Sequence, residues 1–240
     1  MIYFDTIDST YTWAVAHFNE IPDGGFVAAA VQTAGRGRLD RKWISPRGNI
    51  YASLVLKDVS SALLGIAAGS LAVLDLTRAL APDERFHIKW PNDVFCGTAK
   101  ISGILSQFIC PRNGQSGGLV VGIGVNLNIS RAELAEAVQE ATSISILTGE
   151  PCDWQAALRQ LELNLANRTA QLRSAPAELF GEWKRENGLL GRRVEFVAGD
   201  GARLTGLFRD IADDGSVLLE EDDGRSLRLN CGDVRLLTRA

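Results

Sequence analysis

The chain is short of the residues on which several kinds of chemistry depend. It has two histidines, His17 and His87, among 240 residues, which leaves no His-centred nucleophile system or zinc site to read. Its four cysteines, Cys96, Cys110, Cys152 and Cys231, stand singly, so no close pair offers a metal or redox motif. They read as structural thiols in a reduced, cytoplasmic protein. A basic excess is missing too: 25 Lys+Arg against 29 Asp+Glu leave a net charge of -4, which argues against a general nucleic-acid surface. The most apolar run, Ala62 to Leu74, is stopped by Asp75 and is too short to span a bilayer. Met1-Ile2-Tyr3-Phe4-Asp5 places no basic region ahead of an apolar segment, so no secretory signal is read. What remains is an ordinary globular composition, 46% hydrophobic and 22% charged, with room for a large domain and a small one.

Against that background, the most distinctive stretch runs from Gly118 to Asn128. Read as one strand, it puts Leu119, Val121, Ile123, Val125 and Leu127 on one face. Val120, Gly122, Gly124, Asn126 and Asn128 take the other. Two successive glycines on one face mean that something lies flat against bare backbone. The pattern predicts a small molecule there, with the two amides at the exit to hold its polar groups. Upstream, a strand is predicted at 2–7, then a helix from about Tyr11 to Asn19 capped by Asp8-Ser9-Thr10. Strands at 26–32 and 50–56 follow, the latter central in its sheet, and then a helix over 61–80. Residues 86–90, 94–96 and 100–109 read as strands, and 131–138, 153–172 and 176–187 as helices. After Gly188, short alternating strands at 193–197, 203–210, 216–219 and 226–229 read as a small β-barrel-like appendage.

Three segments carry candidate chemistry. In Gly35-Arg36-Gly37-Arg38, glycines admit backbone N–H groups to an anion and arginines supply forked donors. A solvated, mobile loop has the same composition, and the spacing matches no dinucleotide or Walker motif. In Lys89-Trp90-Pro91-Asn92-Asp93, alternation sends Phe86, Ile88 and Trp90 to the core, with Arg85, His87 and Lys89 opposite. Lys89 is a candidate for a phosphate and Asp93 for a metal or a substrate amine; an amphipathic strand and turn is the plainer reading. Lys100 lies on the face opposite Ile101 and Gly103, and a lysine in an apolar strand needs a partner, either an anionic ligand or an internal carboxylate. His17 reads as a helix-surface residue, and Trp154 and Trp183 as core. Brought together, these segments make an acid-poor, cation-rich pocket suited to a reaction between two anions.

Ser9-Thr10, Gln32 to Arg38, Trp43-Ile44-Ser45-Pro46, Gly48-Asn49-Ile50-Tyr51, Lys89 to Asp93, Lys100 to Leu105 and Gly122 to Asn128 occur in the order seen in biotin protein ligases, and the chain resembles that family over nearly its whole length. The resemblance implies an α+β fold. A mixed sheet flanked by helices, akin to class II aminoacyl-tRNA synthetases, would occupy 1–188, and a small SH3-like β-barrel 189–240. It implies that biotin and ATP with Mg²⁺ give biotinyl-5′-adenylate, from which biotin passes to a lysine of the biotin carboxyl carrier protein of acetyl-CoA carboxylase. By the matching motifs, Ser9, Thr10, Tyr11 and Gln32 contact biotin. Gly35, Arg36, Gly37 and Arg38 close over biotin and the adenylate, Lys100 meets the carboxylate, and Gly103, Gly122 and Gly124 leave room. Arg38, Trp43, Lys89, Asn92, Lys100 and Asn126 fall on the ATP and adenylate side. The catalytic set is Lys100, Arg38, Lys89 and Asp93, with Asp93 also the candidate metal ligand and proton acceptor.

Three positions depart from the family pattern. Tyr11 stands where asparagine is common, Leu39-Asp40 replaces an arginine or neutral residue followed by glycine, and Gln107 replaces a common glutamate. Because the catalytic motifs begin within the first residues, the expectation is a ligase without the repressor function some members have. A lipoate or octanoate ligase or transferase of the same fold is one competing reading, and a non-catalytic biotin sensor is another. The Arg-Arg-Gly-Gly-Gly loop of the former is absent, and Arg38, Lys89 and Lys100, which a decayed sensor would lose, are present. Neither nucleic acid nor membrane is an expected partner. The oligomeric state stays open, a homodimer being one form the family takes.

Overall fold

The computed structural model describes residues 1–240 except 39–40, 112–116, 136, 138, 200 and 238–240. Seven strands build the first sheet: β1 (Ile2–Ile7), β2 (Phe26–Gln32), β3 (Ile50–Lys57), β4 (Phe86–Lys89), β5 (Asp93–Cys96), β6 (Ala99–Ile109) and β7 (Gly118–Val125). They lie in the order β1-β2-β3-β7-β6-β5-β4. The sheet is mixed, since β1 runs parallel to β2 and the other neighbours are antiparallel. β3, apolar on both faces, is buried between β2 and β7, as a central strand should be.

Helices cover the two faces unequally. On one face lies α2 (Ala62–Leu80), capped by Ser61, whose hydroxyl accepts from Leu64 N at 3.3 Å. Its Ala67, Leu71 and Leu74 join Leu119, Val121, Ile123 and Ile104 in the main core. At 19 residues this helix is long and apolar enough to cross a membrane, more so than the run ending at Asp75 suggested, yet most of it is buried inside the molecule. α5 (Trp154–Ser174) and α6 (Pro176–Arg185) back it, tied by Arg168, which pairs with Asp75 at 2.9 Å and Glu182 at 2.8 Å. The other face carries only the short α1 (Thr10–Ala16) among the named helices packed there, over a small core of Phe18, Val27, Val55 and Val120. Half of that face is therefore left for a cavity.

Several predicted elements end early, among them α1 at Ala16 and α6 at Arg185, and two of them bear on the site. The glycine-rich strand stops at Val125 rather than Asn128, because Asn49 Oδ1 takes the backbone N–H groups of residues 127, 128 and 129 at 2.8, 2.9 and 3.1 Å and pulls the chain out of the ladder. The helix read over 131–138 is a single turn, α3 (Arg131–Leu134), closed by a Ser130–Glu133 capping box; positions 136 and 138 lie outside the described residues. A further short helix, α4 (Ile144–Thr148), gave no periodic signal and ends at the left-handed Gly149.

The C-terminal strands β8 (Arg193–Ala198), β9 (Arg203–Ile211), β10 (Val217–Glu220), β11 (Ser226–Leu229) and β12 (Gly232–Leu236) form an antiparallel sheet in the order β11-β10-β9-β8-β12. β12 was not predicted; it returns beside β8 and closes the series. The cores of the two sheets are continuous. Trp90 lies 5.9 Å from the Phe196 ring, and its indole N–H donates to Gly215 O at 2.9 Å. Trp90→Phe leaves that buried carbonyl without its donor. We expect a loss of about 1–3 kcal/mol of stability, read as a lower urea midpoint with an unchanged slope.

Candidate active site

The uncovered half of the sheet face holds a cavity of about 460 Å³. Its floor is made by β6 and β7, where Gly103 pairs with Gly124 and Leu105 with Gly122. The predicted flat body on these glycines is in fact the protein's own. A Cβ at Gly122 would meet the Tyr11 ring at 2.8 Å, and one at Gly124 would meet the Trp43 indole at 2.5 Å. The bare backbone therefore seats two aromatic side chains, both of which line the cavity. On their own, these glycines identify no ligand.

Cations dominate the lining. Arg36, Arg38, Arg41, Lys42 and Lys100 face one carboxylate, Asp93. Lys100 sits 2.7 Å from Asp93 Oδ1 in an ion pair whose alignment falls short of a hydrogen bond. The internal carboxylate is thus its partner. Lys100 does not lie opposite Gly103 as strict alternation required. A register shift where β5 meets β6 pairs Val94 with Ser102 but Phe95 with Lys100, and the Lys100 ammonium comes 3.1 Å from where a Gly103 Cβ would be. Such a bulge re-aims a side chain that the period of two would have sent to the other face. The neighbour of Asp93 completes the arrangement: Asn92 Oδ1 accepts from Arg38 Nη1 at 2.9 Å, and Asn92 Nδ2 donates to Ile104 O at 2.6 Å. Consecutive residues therefore hold Arg38 and Lys100.

The Gly/Arg segment is a hairpin rather than an open loop. Arg36 pairs with Lys42, Gly37 N donates to Arg41 O at 2.7 Å, and Trp43 N donates to Gly35 O at 3.0 Å. Gly35 does not line the cavity. It is buried, and a Cβ there would strike Ser45 Oγ and Trp43 O at 2.5 Å, so it serves packing. The departing residue Asp40 lies outside the described residues. Lys89 is also set apart from the cavity lining, with its ammonium 4.8 Å from the centre of the Phe95 ring. Burial lowers its pKa, against the pull of Asp93 and Asp233.

Opposing this charge is a chain of hydrogen bonds among small polar side chains. Ser53 Oγ donates to Thr10 Oγ1 at 3.1 Å, Thr10 N and Oγ1 donate to Gln32 Oε1 at 2.9 and 3.2 Å, and Gln32 Nε2 donates to Ser45 Oγ at 3.1 Å. Ser45 Oγ in turn donates to Trp43 O at 2.8 Å. Each member polarises the next, which fixes the orientation of the whole series. Ser9 caps α1, its hydroxyl accepting from Thr12 N at 3.3 Å. The Tyr11 hydroxyl donates to Gln107 Oε1 at 3.1 Å, and burial pushes its pKa up to about 12, with Arg36 opposing.

The exit amides do different work from the one the strand pattern assigned. Asn128 is spent on backbone: its Nδ2 donates to Gly48 O and Cys152 O at 2.9 and 2.8 Å, and its Oδ1 accepts from Cys152 N at 2.7 Å. Asn126 does line the cavity, but its Nδ2 donates to Thr142 O at 3.0 Å. Sequence reasoning missed Arg41 and Lys42 of the lining, one wall of the cavity, and Asp233. Leu134, Ala137, Gln139 and Ala141 form one wall, braced where Lys100 N donates to Glu140 O at 3.0 Å and Thr142 N donates to Lys100 O at 2.9 Å. Asp233, on β12, pairs with Arg41 at 2.6 Å and so ties the C-terminal sheet to the hairpin. Burial raises the Asp233 pKa, but the Arg41 hydrogen bond, with Arg38 and Lys89, holds it below the ordinary carboxylate value. A short charged strand near the end of the chain carries no motif, and only its partner reveals it.

Among the described residues no group of three carboxylate, histidine or cysteine side chains is placed to hold a metal. The donor set, Asp93 alone, fits a Mg²⁺ ion that arrives on nucleotide phosphates, because that ion keeps several waters and takes one or two protein carboxylates.

Comparison with known proteins gives the family. Residues 2–126 match the model of the Biotin/lipoate A/B protein ligase family, and residues 189–237 match that of the Biotin protein ligase C terminal domain. The chain belongs to the biotin protein ligase family. It is 32% identical over 230 residues to the biotin–[acetyl-CoA-carboxylase] ligase of Paracoccus denitrificans, covering 92% of this chain and 94% of that one. To the bifunctional ligase/repressor BirA of Escherichia coli (strain K12) it is 30% identical over 235 residues, covering 90% of this chain and 68% of the relative. The biotin protein ligase of Aquifex aeolicus, solved in complex with biotin and ATP, superposes with a TM-score of 0.81 at 25% identity, covering 98% of each chain.

The buried Tyr11 hydroxyl generates a test of stability against pH. Folding holds it protonated above the unfolded value near 10, so its contribution is complete below that value and is lost as pH rises to about 12. The loss comes to roughly 2–3 kcal/mol. Tyr11→Phe should flatten the alkaline limb of the stability profile between about pH 10 and about pH 12; urea titrations of both proteins across that window check it.

Proposed function

We propose that this protein activates biotin with ATP as biotinyl-5′-adenylate and then transfers biotin to a lysine of the biotin carboxyl carrier protein of acetyl-CoA carboxylase. In this reading it acts in the cytoplasm, with residues 1–188 as the catalytic domain and 189–240 as an SH3-like C-terminal domain. The carrying observation is the Asn92–Asp93 step, which gathers Arg38 and Lys100 beside one cavity lined by five cations and one carboxylate. The name and near full-length match of the Paracoccus relative support the choice of biotin over other acids.

The first step joins two anions. A carboxylate oxygen of biotin bonds to the α-phosphorus of ATP as the bond to pyrophosphate breaks. Coulomb repulsion between the reactants is the barrier that Lys100 and the hairpin arginines offset. Lys100 exchanges Asp93 for the incoming carboxylate, one anionic partner for another. The Ser9, Thr10 and Gln32 end holds the ureido group, whose N–H and C=O match the donors and acceptors of that network. Asp93 would hold a Mg²⁺ ion arriving on the triphosphate, which would supply further charge neutralisation. Trp43, Asn92 and Asn126 receive the nucleotide, and Lys89 adds positive potential from behind Phe95. In the second step the carrier lysine bonds to the acyl carbon, AMP leaves, and Asp93 takes the proton released by the amine. The Arg36–Arg38 hairpin keeps water from the mixed anhydride between the steps.

The direct test is a mass shift on an acceptor-domain lysine, measured with biotin and with lipoate, with and without ATP. Modification by biotin only when ATP is present is expected; incorporation of lipoate alone defeats the proposal. Lys100→Ala should lower kcat/KM for biotin-dependent pyrophosphate exchange about 100-fold or more, equivalent to roughly 3 kcal/mol of transition-state stabilisation. Arg38→Gly should still form adenylate but release it, giving lysine labelling on bystander proteins; retention of both the adenylate and the target selectivity would show that the hairpin is no lid.

A further inference from the structure

Tyr11 occupies a boundary. On one side of its ring lies the small core beneath α1, with Ala14, Phe18, Val55 and Val120; on the other lies the cavity, whose lining includes Tyr11, Leu105 and Gly122. The residue is 8% exposed, so nearly all of its surface is spent on these contacts. Gly122 permits this placement, because any Cβ there would come within 2.8 Å of Tyr11 Cδ2. The ring is pinned at its far end by the hydroxyl donating to Gln107 Oε1 at 3.1 Å. Gln107 stands on β6, two residues from Leu105, on the sheet face that also presents Gly103 and Gly122.

We infer that Tyr11, held by Gln107 and seated on Gly122, is the end wall that sets the size of the acid the pocket accepts, so that it determines specificity rather than chemistry. The inference rests on the biotin-activating reading and deepens it by assigning the substrate's size limit to one side chain. A rigid ring tethered at its hydroxyl excludes by shape. An apolar contact of this kind discriminates by one or two orders of magnitude for each group that fails to fit. Gln107 contributes as a positioning residue, since it lies outside the cavity lining and acts only through Tyr11.

The probes are biotin and biotin carrying a benzyl group on a ureido nitrogen, and the readouts are ATP–pyrophosphate exchange and calorimetric binding of each acid. For the unmodified protein, biotin alone should bind and turn over. Tyr11→Ala should raise KM for biotin about tenfold with kcat within about twofold, and should bring the benzyl analogue to within about tenfold of biotin in kcat/KM. Because Tyr11 also packs the small core, Gln107→Leu provides a second route. The ring remains, unpinned, and discrimination should fall about threefold or more; position 107 is exposed, so water replaces the lost acceptor and the melting temperature should fall by a few degrees at most. A discrimination ratio unchanged in both variants overturns the end-wall role. If the parent binds biotin yet catalyses no exchange, the biotin-activating reading fails while binding selectivity still judges the wall. If the parent binds no biotin, both fail.

Discussion

A β-sheet face normally repels a ligand because every second side chain stands up from it. Omission of those side chains at Gly103, Gly122 and Gly124 is the constraint from which the site follows. The space so created is partly reclaimed by Tyr11 and Trp43, which lie flat on the glycines and become walls. A cavity bounded by rigid rings is better shaped than an open groove. Its price is a sheet centre with little side-chain packing on one face, offset by the dense core beneath α2 on the other.

Charge is organised around the same floor. The Asn92–Asp93 pair binds Arg38 through an amide and Lys100 through a carboxylate, so two mutually repelling cations are kept side by side before any substrate enters. This is preorganisation in the electrostatic sense: the positive potential is built during folding and need not be assembled when the anions arrive. The bulge between β5 and β6 is the backbone device that makes it work, turning Lys100 over Gly103 instead of away from it.

The C-terminal sheet participates through two contacts of different character. Trp90 anchors it by burial and a hydrogen bond to Gly215, next to the segment that supplies Asn92 and Asp93. Asp233 reaches the Arg36–Arg38 hairpin through Arg41 in an exposed ion pair, an interaction weak enough to open and close. Anchorage at Trp90 is firm, and the tie from Asp233 to the hairpin is loose.

Local pattern carried much of this molecule. An apolar run in β3 and alternation in β7 located the buried strands, the cap at Ser9 started its helix, and the glycines at 122 and 124 marked a place of close approach. The order of motifs along the chain was enough to group Ser9, Thr10, Gln32, Arg38, Asn92, Asp93 and Lys100 in one cavity. Periodicity could not say what lay on the glycines, because Tyr11 and Trp43 arrive from distant segments and leave no trace in the spacing of β7. It sent Lys100 to the wrong face, since a bulge depends on the partner strand and not on composition. For the same reason, Asn128 and Gly35 changed meaning in three dimensions and Asp233 acquired one: hydrogen bonds and close contacts between remote residues are satisfied only when the chain has folded, and a linear order of residues does not contain them.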